Sequence, residues 1–117
     1  MADRLEEIAE RLRAFVVERE WAQFHDPKNL AMAVASEAGE LLAEYRWIAN
    51  ADSDTWSAQP ENKQRVAMEA ADVGIALLLL CDRVGVDLAG AIAEKIELNA
   101  VNYPANLSKG RHSRPEQ

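Results

Sequence analysis

The chain is predicted to be an all-α domain built as a bundle of four helices. Apolar residues recur at helical spacing in four separate segments. No stretch alternates polar and apolar in the manner of a strand. Proline, aspartate and glycine stand at the segment ends, where helices start and stop. A length of 117 residues fits one domain, and 49% hydrophobic residues are enough for a core.

The first helix is expected from about Asp3 to Trp21. Leu5, Ile8, Leu12 and Phe15 form its apolar stripe, and Glu6, Arg11, Arg13 and Glu18 cover other faces. Ala22–His25 connects it to Asp26-Pro27, which reads as an N-cap followed by proline at the first helical position. The second helix then runs from Pro27 to Trp47 or Ile48, with Leu30, Val34, Leu41 and Tyr45 on its stripe. It stops at the polar stretch Asn50-Ala51-Asp52-Ser53-Asp54, read as turns. Ser57 and Pro60 precede a third helix from about Glu61 to Val84, closed by Gly85. Its half from Ala70 to Cys81 is apolar nearly all round, which predicts a central, largely buried helix. Asp87 can cap a fourth helix from Leu88 to about Val101, stopped before Pro104. Residues 1–104 thus form the domain. Residues 105–117 lack periodicity and read as a flexible tail, positive through Lys109, Arg111, His112 and Arg114.

The net charge of −7, from 20 acidic and 13 basic residues, argues against a broad nucleic-acid-binding face. A nucleotide substrate stays compatible with it, because a bound divalent cation inverts the local field. One cysteine, Cys81, excludes an intrachain disulfide and a cysteine-rich zinc site, and its apolar surroundings predict a buried thiol. The longest apolar run, Gly74–Cys81, is far shorter than the roughly 18 residues of a membrane span. Residues 1–20 hold no apolar core of a signal peptide. A cytoplasmic protein without membrane partners is expected.

Two acidic pairs carry the chemistry. Glu37-Ala38-Gly39-Glu40 lies within the second helix and Glu69-Ala70-Ala71-Asp72 within the third. A spacing of three residues turns about 300° on a helix, so each pair shares a face. Helices joined by a short connection pack antiparallel, which sets the pairs opposite one another. Isolated ExxE pairs are usually solvated surface acids. Here the flanking residues are small and apolar with few basic partners, and a carboxylate in such surroundings is costly unless paired or metal-bound. Four carboxylates without histidine form a hard-oxygen site suited to Mg²⁺ or Mn²⁺. Such a site binds a triphosphate and activates water without a nucleophilic side chain. No Ser-His-Asp or Cys-His arrangement and no glycine-rich phosphate loop is evident.

Several blocks of sequence, in order and with compatible gaps over about residues 5–107, resemble the MazG-like all-α pyrophosphatase superfamily, and within it the dCTP pyrophosphatase branch. They are Glu18-Arg19-Glu20-Trp21, Phe24-His25-Asp26-Pro27-Lys28-Asn29-Leu30, Glu37-Ala38-Gly39-Glu40-Leu41 with Trp47, Glu69-Ala70-Ala71-Asp72-Val73, and Val86-Asp87-Leu88 with Lys95-Ile96, Asn99 and Tyr103-Pro104. The resemblance implies a helical bundle assembled as a homodimer or a dimer-based homotetramer. It implies cleavage of a nucleoside triphosphate between the α and β phosphates, giving a monophosphate and pyrophosphate. It assigns the metal and catalytic roles to Glu37, Glu40, Glu69 and Asp72. Trp21 and Trp47 match positions that embrace the base, Asn29 falls with the substrate-binding residues, and Lys95, Asn99 and Tyr103 match the phosphate and sugar side. Leu12 and Ala76 depart from the branch, which has a histidine and a tyrosine of the nucleotide pocket there. The substrate implied is a pyrimidine such as dCTP, with another pyrimidine or a broader range left open.

Other roles are plainer. His25 reads as a structural hydrogen bonder and Trp56 as a lid or packing residue. A di-metal carboxylate bundle of the iron type would need Glu-x-x-His motifs, and neither His25 nor His112 completes one. A non-catalytic helical interaction protein would leave the clustered acids unexplained.

Overall fold

A computed structural model describes residues 4–113. Among them are six α-helices and no strand: α1 (Arg4–Glu18), α2 (Pro27–Tyr45), α3 (Ser53–Ala58), α4 (Pro60–Val84), α5 (Leu88–Asn102) and α6 (Ala105–Ser108). The chain divides into two compact units, the first ending at Gly85 and the second starting at Val86. The four long helices stand where the periodicity puts them, within a few residues. The start of the first helix at Asp3 and the tail residue Arg114 lie outside the described residues. No described helix is long and apolar enough to cross a membrane.

In the first unit, α2 and α4 form the most extensive helix pair. They run antiparallel: Leu30 shares a cavity wall with Ile75, Ala76 and Leu79, and Glu44, near the end of α2, pairs with Arg65 near the start of α4 at 2.9 Å. Asp26 caps α2 as expected. One of its carboxylate oxygens accepts from the Asn29 backbone N–H at 3.0 Å, and Pro27 occupies the first turn, where no amide is needed. Gly85 closes α4 at φ 76°, the left-handed region that a residue with a Cβ enters only at a cost of about 1–2 kcal/mol. The first helix joins α4 through the Arg13–Asp82 ion pair at 2.9 Å, and the Arg83 guanidinium donates to the Ala22 carbonyl at 3.2 Å.

Three expectations need correction. The stretch after α2 is helical rather than a run of turns. Asn50–Asp52 make one 3₁₀ turn, and Ser53–Ala58 make α3. Contacts from α2 and α4 hold that short helix: Tyr45 Oη bonds Ser57 Oγ at 2.7 Å, the Tyr45 and Trp56 rings meet edge to face at 5.1 Å, and Asn62 Nδ2 donates to the Trp56 carbonyl at 3.0 Å. Trp56 is therefore a packing residue. Secondly, residues 105–108 of the tail form the single turn α6. Thirdly, the apolar half of α4 is less buried than its composition predicts. Only Val16, Leu30, Ala76 and Cys81 are buried among the described residues, Leu77–Leu80 are half-buried, and Asp72 is exposed. The described elements are too few to wrap a 25-residue helix on every side.

In the second unit, Asp87 occupies the N-cap position of α5 without accepting a capping bond. Its carboxylate lies against Gly90, where a Cβ would come within 2.6 Å of Oδ2. Ile92, Ile96, Leu98 and Val101 of α5 are all exposed.

Candidate metal centre and adjoining cavity

Antiparallel packing brings together acids from two helices. Glu37 of α2 and Glu69 and Asp72 of α4 each offer a carboxylate oxygen, and these oxygens lie within 4.8 Å of one another. The three-residue spacing of Glu69 and Asp72 puts both on the turn of α4 that faces Glu37. Glu37 and Glu69 are half-buried and Asp72 is exposed. Glu40, one turn along α2, stands outside this group, although its charge still acts on it. Partial burial, and then the negative charges of Asp72, Glu40, Glu44 and Glu37, raise the Glu69 carboxyl above its ordinary value. Arg65, the nearest cation along α4, is held by Glu44. A divalent cation fits the group on two counts. It offsets the mutual repulsion, and the donors are all carboxylate oxygens, the set that Mg²⁺ and Mn²⁺ take.

Beside the acids opens a cavity of about 330 Å³. Glu37 and Asp72 form one side; Leu30, Ala33, Ile75, Ala76 and Leu79 give it apolar walls; Phe24, His25 and Asn29 complete the lining. Apolar walls with a few polar groups describe a small-molecule site. A second cavity of about 230 Å³ shares His25 and Leu79 with the first and is otherwise lined by Arg13, Val16, Val17, Ala22, Asp82 and Arg83.

Of the other residues singled out in the sequence, Asn29 lines the larger cavity. Trp21 is outside its lining, 43% exposed, and packs edge to face on Phe15 at 5.6 Å between ring centres. Trp47 is 83% exposed just beyond α2, with the Arg46 guanidinium 5.2 Å from its ring centre. Lys95 and Asn99 are exposed on α5, and Tyr103 follows that helix, its N–H donating to the Asn99 carbonyl at 2.7 Å. The sequence assigns no site role to Phe24, Ala33, Ile75 or Leu79, although Phe24 belongs to a block that carries the family resemblance, and only a structural role to His25. Their signal was faint: Phe24 and His25 immediately precede the Asp26 cap, and the 3₁₀ turn Ala22–Phe24 sets their direction.

Residues 32–114 match the MazG-like family. The chain is 38% identical over 106 residues to dCTP pyrophosphatase 1 of Rattus norvegicus, covering 91% of this chain and 62% of the rat protein. It is 35% identical over 105 residues to dCTP pyrophosphatase 1 of Homo sapiens, covering 90% of this chain and 62% of the human protein. It therefore spans less than two-thirds of the length of these curated relatives. A pyrophosphatase from Archaeoglobus fulgidus DSM 4304, known from a crystal structure, superposes with a TM-score of 0.81 at 36% identity, over 89% of this chain and 95% of that one.

Proposed function

Because the chain belongs to the MazG-like family, we propose that it is a divalent-metal-dependent nucleoside triphosphate pyrophosphohydrolase. It cleaves between the α and β phosphates and releases a nucleoside monophosphate and pyrophosphate. The observation that carries this reading is the convergence of the Glu37, Glu69 and Asp72 carboxylates beside a largely apolar cavity. The names of the dCTP pyrophosphatase relatives and of the archaeal pyrophosphatase support it.

In this reading Glu37, Glu69 and Asp72 hold Mg²⁺ or Mn²⁺, and Glu40 supplies a fourth carboxylate from the next turn of α2. The bound ion would neutralise phosphate charge and make a water more acidic. The chain's own walls do the rest. Leu30, Ala33, Ile75, Ala76 and Leu79 take the base out of water, and the acids at the cavity edge direct the triphosphate away from it. The match to the family gives Trp21 and Trp47 to the base and Lys95, Asn99 and Tyr103 to the phosphates and sugar; none of them lines this cavity, so in this reading they complete the site from a second copy of the chain. A pyrimidine deoxynucleotide such as dCTP is the proposed substrate, turned over in the cytoplasm.

Incubating the protein with each common triphosphate and Mg²⁺, followed by separation of the products, tests the reaction. A monophosphate and pyrophosphate in equal amounts are expected. Orthophosphate with a nucleoside diphosphate would place the cut elsewhere and overturn the proposal.

The active form in this reading is a homodimer or homotetramer. Met32, Leu42, Trp47, Met68 and Ile75 are exposed in the first unit and Ile92, Ile96 and Val101 in the second, apolar surface that association between copies would take out of water. Light scattering is expected to return two or four times the 13.0 kDa chain mass. A fully active monomer would contradict this assembly.

A further inference from the structure

The larger cavity holds one polar group whose hydrogen-bonding sense is fixed. The Asn29 side-chain nitrogen donates to Asp26 Oδ2 at 2.6 Å and to the Phe24 carbonyl at 3.5 Å. Both partners are acceptors, so the nitrogen faces them; the Asp26 contact is the short one and the Phe24 contact the long one. Turning the amide over would set its oxygen against the Asp26 carboxylate. What Asn29 has left to offer a ligand is its carbonyl oxygen, an acceptor.

The other polar groups on the lining extend this bias. Glu37 and Asp72, given to the metal, add no donor to the lining, and His25 can either donate or accept. A cavity with this wall favours a ligand bearing N–H donors and disfavours one that presents a carbonyl at the same place. Two acceptors facing each other leave both unpaired.

We propose that Asn29 selects nucleotides whose base carries an exocyclic amino group, cytosine and adenine, over those with a keto oxygen at that position, uracil and hypoxanthine. This rests on reading the cavity as a base pocket, as proposed above. Asn29 is the specificity-determining residue, and Asp26 is a positioning residue that holds its amide in one sense. Asp26 thus has two tasks: one carboxylate oxygen caps α2 through the Asn29 backbone N–H, and the other orients the Asn29 side chain.

Calorimetric titration of the whole chain in Mg²⁺ buffer with dCMP, dUMP, dAMP and dIMP tests the proposal without requiring turnover. The dCMP/dUMP and dAMP/dIMP pairs each exchange an exocyclic amino group for a keto oxygen, and the adjacent ring nitrogen turns from acceptor to N–H donor with it. The wild type is expected to bind the amino member of each pair about tenfold or more tighter, the scale of one well-made hydrogen bond against an unpaired acceptor. Asn29→Ala should bring both ratios close to one. Asp26→Ser keeps a capping oxygen but removes the one that holds Nδ2, so it should lower both ratios without touching the base. If one variant fails to fold, the other still decides. Equal binding of both members, a preference for the keto member, no detectable binding of any of the four, or ratios unchanged in the variants would each overturn the assignment. Amino-selective binding without pyrophosphate release from any triphosphate would sink the hydrolase reading and leave the role of Asn29 standing.

Discussion

Replacing Asp72 with asparagine is expected to lower pyrophosphate release by roughly 10²–10³-fold, the scale of losing one preorganised charge-stabilising group. The substitution keeps the shape of the side chain and removes its charge, so a metal held by Glu37, Glu69 and Asp72 loses an anionic ligand. Asp72 is exposed and its loss opens no cavity. The variant should therefore fold as the wild type does, with an unchanged far-ultraviolet circular dichroism spectrum and, without metal, an equal or slightly higher melting temperature. The same holds more strongly for Glu69→Gln, because Glu69 bears the repulsion of Asp72, Glu40, Glu44 and Glu37. Acids that were only structural would give the reverse pattern, a lower melting temperature with turnover retained. Near-normal activity in either variant would remove the metal assignment.

Saturating Mg²⁺ is expected to raise the melting temperature of the wild type by roughly 10 °C over the same protein in chelator. A ligand that binds only the native state adds about 2.7 kcal/mol at one hundred times its dissociation constant. For a domain of this length, each kcal/mol moves the midpoint by about 3–5 °C. Asp72→Asn and Glu69→Gln should lose most of that rise. Scanning calorimetry at fixed protein concentration is the measurement, since association between copies would also move the midpoint. An equal rise in wild type and variants would show that Mg²⁺ acts elsewhere on the surface.

The long helices were legible because their signals are local. The 3.6-residue rhythm from Leu5 to Phe15, the Asp26-Pro27 start and the Gly85 stop each act within a turn or two of chain. The grouping of Glu37 with Glu69 and Asp72 was legible for a similar reason, since a fixed spacing on two helices and an antiparallel pairing are enough to bring them together. What sequence could not supply depends on distant contacts. A six-residue helix is too short to hold itself, so α3 exists through Tyr45 and Asn62, neither of which belongs to it. Asp87 looks like a cap, and only the three-dimensional position of its carboxylate against Gly90 shows that it accepts no capping bond. The apolar composition around Asp72 suggested burial, yet composition tells which residues gain from leaving water and not whether one chain can cover them. Phe24 and His25 entered the cavity wall through the direction of a 3₁₀ turn, which no periodicity encodes.

The pairing of α2 with α4 is registered at two places. Glu37 meets Asp72, and two turns farther along, Glu44 meets Arg65. The intervals between these points match, seven residues on each helix. Length is therefore a stricter constraint here than identity. Exchanging Ala38, Ala43 or Ala67 for another helix-forming residue leaves the phase intact, but deleting any one residue between Glu37 and Glu44 turns everything beyond it by about 100°. Arg65 would then lose its partner while the acids stayed in place, or keep it while they parted. A lineage can drift in sequence along these two helices, but it can shorten one of them between the two meeting points only by shortening the other to match.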